Sequence, residues 1–432
     1  MRYKSFSLKD LENIPQLKSL GKEVIDDIQV VAEIYPFKTN NYVVEQLIDW
    51  EKGIDDPIFR LNFPHRDMLL EEHYDKIRWA KKHSDSQVLK NIVRDIRLSL
   101  NPHPAGQTLY NIPRDIDGSP IEGLQHKYKT TVLYFPSHAQ TCHAYCTFCF
   151  RWPQFVKDLD LKIQTKEVEP LIYYLNANPA ISEVLITGGD PMVMSPRVFE
   201  SYIDAILSVD TIKNIRIGTK SLSYWPYKYV TDPERDDMLT VLKKVVDSGR
   251  HLAIMAHFNH PVELDPPVVR EAIINLKRIG AEIRTQAPLL RNINNKASLW
   301  SAMWEKQVQL GCVPYYMFLP RDTGAQHYFA EDLFSAFDIY RDAIKRTPGL
   351  CRTVRGPVMS MTTGKVEILD YEQGMFTLRY LQNRNPELTY KVFQAISLVK
   401  RPHWFYDLAC FDPRYSDFFE EGVSHERLTV TA

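Results

Sequence analysis

The chain has 432 residues, with 53 lysines and arginines against 54 aspartates and glutamates, a formal net charge of -1. That balance excludes the long-range pull toward nucleic acid or an anionic membrane that a basic protein exerts. The first residues, MRYKSFSLKDLENI, hold no apolar signal core, and no run reaches the roughly 18 apolar residues of a membrane span. Six cysteines in so long a chain do not make a secreted disulfide scaffold. A cytoplasmic location is expected, and there clustered thiols bind metal rather than pair.

The first hundred residues read as helical. In LKSLGKEVIDDIQVV, Leu20, Val24, Ile25, Ile28 and Val31 recur at helical spacing, and DKIRWAKKHSDSQVLKNIVRDIRLSL reads the same way. NPHPAGQTLYNIPRDIDGSP then reads as a linker. Short apolar runs follow at 131–135, 183–187, 215–218, 251–258, 281–286 and 313–319, separated by amphipathic stretches such as RVFESYIDAILSV. Six strand–helix units in series predict an α/β fold with a parallel sheet, fanned open or curled toward a barrel. In either form the loops at the carboxyl ends of the strands carry chemistry. SHAQTCHAYCTFC, GGDP, HFNHP, RTQ and LPRDTG all fall at such ends, so the unusual residues collect on one rim. Beyond the helix EDLFSAFDIYRDAIKR, KVEILDYEQGMFTLRYL reads as two strands around a turn at Glu372–Gly374, and the aromatic tail RPHWFYDLACFDPRYSDFF should pack back on the body. The expected division is a mainly helical region with linker at 1–125, a strand–helix core at 126–335, and a small α+β region at 336–432.

Three of the six cysteines, Cys142, Cys146 and Cys149, stand in TCHAYCTFCF with the spacing C-x3-C-x2-C. A closed structural zinc site needs four ligands, which His138 or His143 could complete. An iron–sulfur cluster held by three thiolates keeps one metal position open, and an open position is a catalytic feature. Cys312, Cys351 and Cys410 stand alone. The residues thus leave three readings: a cluster with a free iron, a Cys3His zinc site, or buried thiols without metal.

The cysteine spacing, with Phe148 just before the last cysteine, resembles the radical S-adenosylmethionine superfamily, as does LITGGDP at the end of the next strand. Further stretches narrow the resemblance to the lysine 2,3-aminomutase family: PIEGLQHKYKTTVLYF, CFRW, IRIGTKSLSYWP, HFNHPVEL, TQAPLLRNIN, VPYYMFLPRDTG, and near the N-terminus LIDWEKGIDDPIFRLNFP. The resemblance implies a partial (β/α)6 barrel with a [4Fe–4S] cluster, S-adenosylmethionine and pyridoxal 5'-phosphate. It implies an isomerase that moves an amino group between adjacent carbons of a small amino-acid substrate, started by a 5'-deoxyadenosyl radical. It also implies an electron donor such as flavodoxin or ferredoxin, and a homo-oligomer; neither nucleic acid nor membrane is expected as a partner. Alternatives are a relative that has lost pyridoxal phosphate, or a metal-stabilised binding module without catalysis.

Residue by residue, the resemblance gives Cys142, Cys146 and Cys149 to the cluster. Phe148, Gly188, Gly189, Asp190 and Gln286 go to S-adenosylmethionine and its surroundings, and Arg151 to the substrate carboxylate. Lys365, after TTG, falls where the family carries its pyridoxal phosphate lysine. The chain also departs from the family. The glycine run before that lysine is reduced to TTG, and two arginines that grip the cofactor phosphate are replaced by Thr131 and Lys127, leaving Lys127 and backbone amides near Gly364 to compensate. The two acidic residues that recognise a lysine ammonium fall at Arg321 and Val358. Without those carboxylates a lysine ammonium would be uncompensated in the pocket, so the expected substrate is not lysine, and Arg321 suits an anionic or hydrogen-bonding side chain. A register shifted by one residue would instead bring in Asp322 and a cationic substrate.

Overall fold

From residue 131 to residue 318, strand residues alternate between two environments. On one face Val184, Ile186, Ile215, Ile217, Leu252, Ile254 and Ile283 have no accessible surface. Burying each such side chain contributes about 1.5–3 kcal/mol, so this face can only lie against helices. The other face carries Thr131, Glu183, Arg216, Arg284, Gln286 and His257. In-register pairing of Thr131 with Glu183, Arg216 with Ala253 and His257 with Gln286 keeps them all on that side.

The computed structural model describes residues 1–101, 111–156 and 162–419. Strands β1 (Ser5–Phe6) and β2 (Thr39–Asn40) form a small ladder of their own. All other strands join one sheet: β3 (Leu124–Tyr128), β4 (Thr131–Tyr134), β5 (Glu183–Ile186), β6 (Asn214–Thr219), β7 (His251–His257), β8 (Glu282–Pro288), β9 (Val313–Phe318), β10 (Arg355–Ser360), β11 (Gly364–Glu372), β12 (Met375–Asn383), β13 (Val392–Ser397) and β14 (Leu408–Cys410). They lie side by side in sequence order. Strands β4 to β9 are parallel, as expected, and each expected strand is found within two residues of its place. Helices Glu169–Ala177, Pro196–Leu207, Arg235–Asp247, Pro267–Arg278 and Ala297–Gln309 connect them. Strand β3, which pairs antiparallel with β4, was not foreseen.

The C-terminal strands continue this sheet: β10 pairs parallel with β9, and β11 to β14 follow antiparallel. The expected turn between β11 and β12 is there, with Gln373 at φ 50° and Gly374 at φ 83°, the positive angles that a two-residue hairpin turn favours. The aromatic tail packs inward through Trp404, Phe405 and Phe418. Although β3 lies far from β12 in strand order, the two touch. The sheet therefore curls, and its polar face becomes an inner wall.

The N-terminal helices are shorter than their periodicity predicts. Gly21, at φ 100°, separates Pro15–Ser19 from Lys22–Val31. The longer stretch divides into Glu71–His83 and Ser86–Ser99, because the Asp85 carboxylate accepts from the amides of Gln87 and Val88 and starts a new helix. These helices build a second core with Trp152, Tyr224, Trp225, Leu290 and Phe329, so the N-terminal region sits over the rim that carries the loops. The linker expected at 101–120 falls partly outside the described residues.

Candidate active site

The loop after β4 carries Cys142, Cys146 and Cys149, all free thiols and half-buried. The N-terminal region fixes its backbone. The Tyr145 amide donates to Lys38 O at 2.8 Å, the Thr147 amide to Leu61 O at 3.0 Å, and Tyr3 OH to His143 O at 2.8 Å. Asn40 donates through one amide nitrogen to both His143 O and Tyr224 O, at 3.1 and 3.0 Å. Burial pushes all three thiols up, Cys146 to about 12, and neighbouring thiols push Cys142 and Cys146 further, while Arg151 opposes the shift at Cys149. Such a set holds its protons until a cationic centre takes them as thiolates. Three sulfur donors on one fixed loop suit a [4Fe–4S] cluster with one free iron. Of the histidines nearby, His138 Nδ1 bonds Tyr202 OH at 2.8 Å, and His143 faces Asp190 at 3.9 Å. Among the described residues no three His, Cys, Asp or Glu side chains converge on a single ion.

The GGD turn is stitched to this loop. Gly189 donates to Ala139 O at 2.8 Å, and the Asp190 amide to Thr141 O at 2.8 Å. A Cβ on Gly188 would stand 2.5 Å from the Gln140 amide nitrogen, and one on Gly189 2.4 Å from Thr141 O. Bare backbone is what lets the two loops meet. Asp190 is buried, and both its oxygens are taken: Met192 N and Thr219 Oγ donate to one, Lys220 N to the other. Burial works to raise its pKa, but His143 and these donors outweigh it and hold the carboxyl below the usual range. Its visible role is to tie the turn to β6.

Arg151 lies 4.6 Å from the Phe135 ring and 5.3 Å from the Phe150 ring, and donates to Gly188 O at 3.1 Å. Burial lowers its pKa to about 10, the thiols oppose the shift, and Arg321 adds to it. Arg321 also faces Phe150, at 5.8 Å, and its buried Nε has no hydrogen-bond partner. Burial lowers its pKa, while Asp322, Tyr406 and Tyr128 oppose the shift. Its charge is felt by Arg151, Lys127 and Tyr128, so the guanidinium belongs to the inner wall.

Lys365 begins β11 and turns into the curl. Its amine donates to Gln382 Oε1 at 2.6 Å and lies 4.6 Å from the Tyr128 ring and 5.5 Å from the Tyr316 ring. Burial first, then Arg216, bring its pKa down to about 7; Glu183 opposes the shift and Arg355 adds to it. Lys127 reaches the expected TTG loop and donates there to the carbonyls of Met361 and Gly364. Its pKa is held far below the ordinary lysine value by burial and by Lys365, Arg321 and Arg384. Arg384 grips the same loop through its amide, which donates to Thr363 O at 2.9 Å. Thr131 donates to Glu183 at 3.1 Å, and Arg216 to the same oxygen at 2.8 Å. Val358 is fully buried in a small apolar patch with Tyr316 and Leu381.

Gln286 meets His257 Nε2 at 2.7 Å through its amide nitrogen. Burial and Lys220 bring His257 down to about 4, so the imidazole is neutral and accepts that bond. Phe148 packs edge-on against Phe329, with ring centres 6.3 Å apart. Sequence reasoning left out the inner-wall charges Glu183, Arg216 and Arg284, whose signal was a charged residue at alternate positions of a strand. It also left out the buried Lys220–Glu263 pair, 2.6 Å apart, which no local pattern marks.

No family model matches the chain. It is 28% identical over 400 residues to "Putative L-lysine 2,3-aminomutase" of Aquifex aeolicus, a match that spans 93% of each chain. The chain is thus similar to lysine 2,3-aminomutase relatives over nearly its whole length. It is also 26% identical over 347 residues to L-lysine 2,3-aminomutase of Methanococcus maripaludis, across 80% of this chain and 69% of that one. Among solved structures, Streptococcus suis SuiB bound to S-adenosylmethionine matches with a TM-score of 0.36 and 12% identity, over 61% of this chain and 51% of that one. A radical SAM methyltransferase from Sphaerobacter thermophilus matches with a TM-score of 0.36 and 13% identity, over 57% and 72%.

Proposed function

We propose that this chain is a radical S-adenosylmethionine aminomutase that uses pyridoxal phosphate and acts on an amino acid with an acidic side chain. When bound, the [4Fe–4S] cluster and S-adenosylmethionine supply radical initiation, and pyridoxal phosphate supplies a conjugated system across which an amino nitrogen can migrate. Cys142, Cys146 and Cys149 hold the cluster. Gln286, kept in place by neutral His257, faces S-adenosylmethionine on the same rim. Lys365 offers an amine that is about half neutral at pH 7, the state in which it can attack a carbonyl. Lys127, Arg384 and the amides near Gly364 supply the hydrogen-bond donors around the cofactor phosphate.

The observation that carries the substrate class is the pair of guanidinium groups at Phe150, Arg151 at 5.3 Å and Arg321 at 5.8 Å. Arg151 takes the α-carboxylate, and Arg321 takes a second acceptor on the side chain. A lysine ammonium in that place would meet a cation where it needs an anion. The aromatic walls of Phe135, Tyr128 and Tyr316 exclude water around a reactive intermediate. Reduction draws on a one-electron donor of the flavodoxin or ferredoxin class, and the working form is a homo-oligomer. Among the described residues no helix is long and apolar enough to cross a membrane.

The test is anaerobic reconstitution with iron, sulfide, S-adenosylmethionine and pyridoxal phosphate, followed by an amino-acid screen for 5'-deoxyadenosine release and isomer formation. L-Glutamate or a similar acidic amino acid should be converted faster than L-lysine. Faster conversion of lysine would overturn the substrate class and move recognition to Asp322.

A further inference from the structure

We infer that Tyr224 sets the reduction potential of the cluster by donating a hydrogen bond to the sulfur of Cys146. The inference rests on the cluster being held by Cys142, Cys146 and Cys149. Tyr224 is 1% exposed, and its hydroxyl oxygen lies 3.8 Å from Cys146 Sγ. The direction of that bond follows from Asn62. Its amide nitrogen donates to Ile58 O at 3.0 Å, which fixes the amide orientation, and the same nitrogen reaches the Tyr224 oxygen at 3.3 Å. The phenol oxygen thus accepts from Asn62, and its single hydrogen is left for the sulfur.

Lys220 stands behind this donor. Its ammonium is 4.3 Å from the centre of the Tyr224 ring, held there by Glu263 at 2.6 Å and Asn259 at 2.9 Å. A cation on the ring face draws charge from the phenol and strengthens its O–H as a donor. The Arg151 backbone N–H and guanidinium favour the anion of Cys149. The hydroxyl of Tyr224 does the same for Cys146.

Hydrogen bonds to the sulfurs and local charge are what a protein uses to move an iron–sulfur potential. One electron passes from an external one-electron donor, dithionite in the assay, into the cluster, which gains one negative charge. No proton moves, and the Tyr224 hydrogen stays on its oxygen. The added charge spreads onto the cysteine sulfurs, so the bond tightens on reduction and the reduced state is favoured. Tyr224 is therefore a positioning residue acting through Cys146, not a group that touches the substrate.

The test compares reconstituted wild type with Tyr224→Phe by iron content and by the electron paramagnetic resonance signal of the reduced cluster against applied potential. Iron content should be unchanged. The equilibrium constant for one-electron reduction should fall about tenfold, a midpoint about 59 mV more negative. The double variant Lys220→Met/Glu263→Gln keeps the hydroxyl and should shift the midpoint less. An unmoved midpoint in Tyr224→Phe overturns the inference, as does loss of iron, which would make the hydroxyl a structural contact. An equal shift in the double variant would assign the effect to charge instead and also overturn it. Wild-type protein that binds no cluster sinks the three-cysteine reading itself, and its iron content tells that failure from the others.

Discussion

The amine of Lys365 on β11 lies 4.6 Å from the ring centre of Tyr128 on β3. These strands are separated by seven others in the sheet, so the contact exists because the sheet curls until its first strand meets its C-terminal hairpin. The curl removes the amine from water and surrounds it with Arg216, Arg355 and two aromatic rings. A lysine in that setting favours its neutral form, and its pKa falls to about 7.

Lys365 should therefore react as a neutral amine at pH values where exposed lysines do not. Brief acetylation of the native protein, read by peptide mass spectrometry, should give a midpoint near pH 7 for Lys365. With pyridoxal phosphate and borohydride the pyridoxyl label should fall on the same peptide. The sign of the linked stability follows from the depressed value. Between about pH 7 and 10.5 the unfolded chain binds the extra proton, so this residue makes stability rise with pH across that window. Lys365→Met should flatten the rise. A midpoint near 10 for Lys365 would remove the basis for its role.

Arg321 should set side-chain preference. A charge-assisted hydrogen bond contributes about 1.5–3 kcal/mol, so Arg321→Gln should lower kcat/KM for an acidic substrate by roughly 10- to 150-fold. Arg321→Asp should lower it further and improve lysine relative to glutamate. Steady-state kinetics with both substrates decides this. Unchanged discrimination in both variants would show that the guanidinium does not meet the substrate.

How far the sequence anticipates this site depends on the range of the interactions. The strands, the rim loops and the Glu372–Gly374 turn follow from local alternation and turn chemistry, which need only neighbouring residues. The cysteine loop is local too, with its ligands inside ten residues. Lys127 meeting Gly364, or Asn62 meeting Tyr224, joins positions more than 150 residues apart, and no periodicity contains such information. The division at Ser84 is a different case. Asp85 is a good helix N-cap, but the apolar spacing runs straight through it, and capping wins because its carboxylate gives the free first-turn amides of Gln87 and Val88 an acceptor.

Gly189 should be required for the site to assemble. A Cβ there would stand 2.4 Å from Thr141 O, a backbone atom that cannot swing away. Overpacking of this kind costs about 1–3 kcal/mol, and the strain falls on the residue just before Cys142. Gly189→Ala should lose iron on reconstitution as well as thermal stability. Gly349→Ala, which meets nothing within 4 Å at an ordinary φ, is the control and should keep both. Full iron content in Gly189→Ala would mean that the loops can separate without harm to the cluster. Cys142→Ala, Cys146→Ala and Cys149→Ala should each lose iron, while Cys312→Ala should not.

Glu263 stands behind Lys220 at the rim. It has no exposed surface, and its oxygens accept from Lys220 at 2.6 Å, Ser223 at 2.5 Å, His260 N at 3.0 Å and the Asn259 amide. Four donors on one buried carboxylate make it a hub joining the end of β6 to the turn after β7. Removing one member of a buried pair leaves the other charge uncompensated, at a cost of about 3–5 kcal/mol. Glu263→Leu should thus destabilise the fold by that order in chemical denaturation, whereas Lys220→Met/Glu263→Leu should recover much of the loss by removing both charges. The double variant will not recover all of it, because Ser223 and the two backbone amides still lose their acceptor. If both variants unfold alike, the pair contributes through packing alone and the charge argument fails.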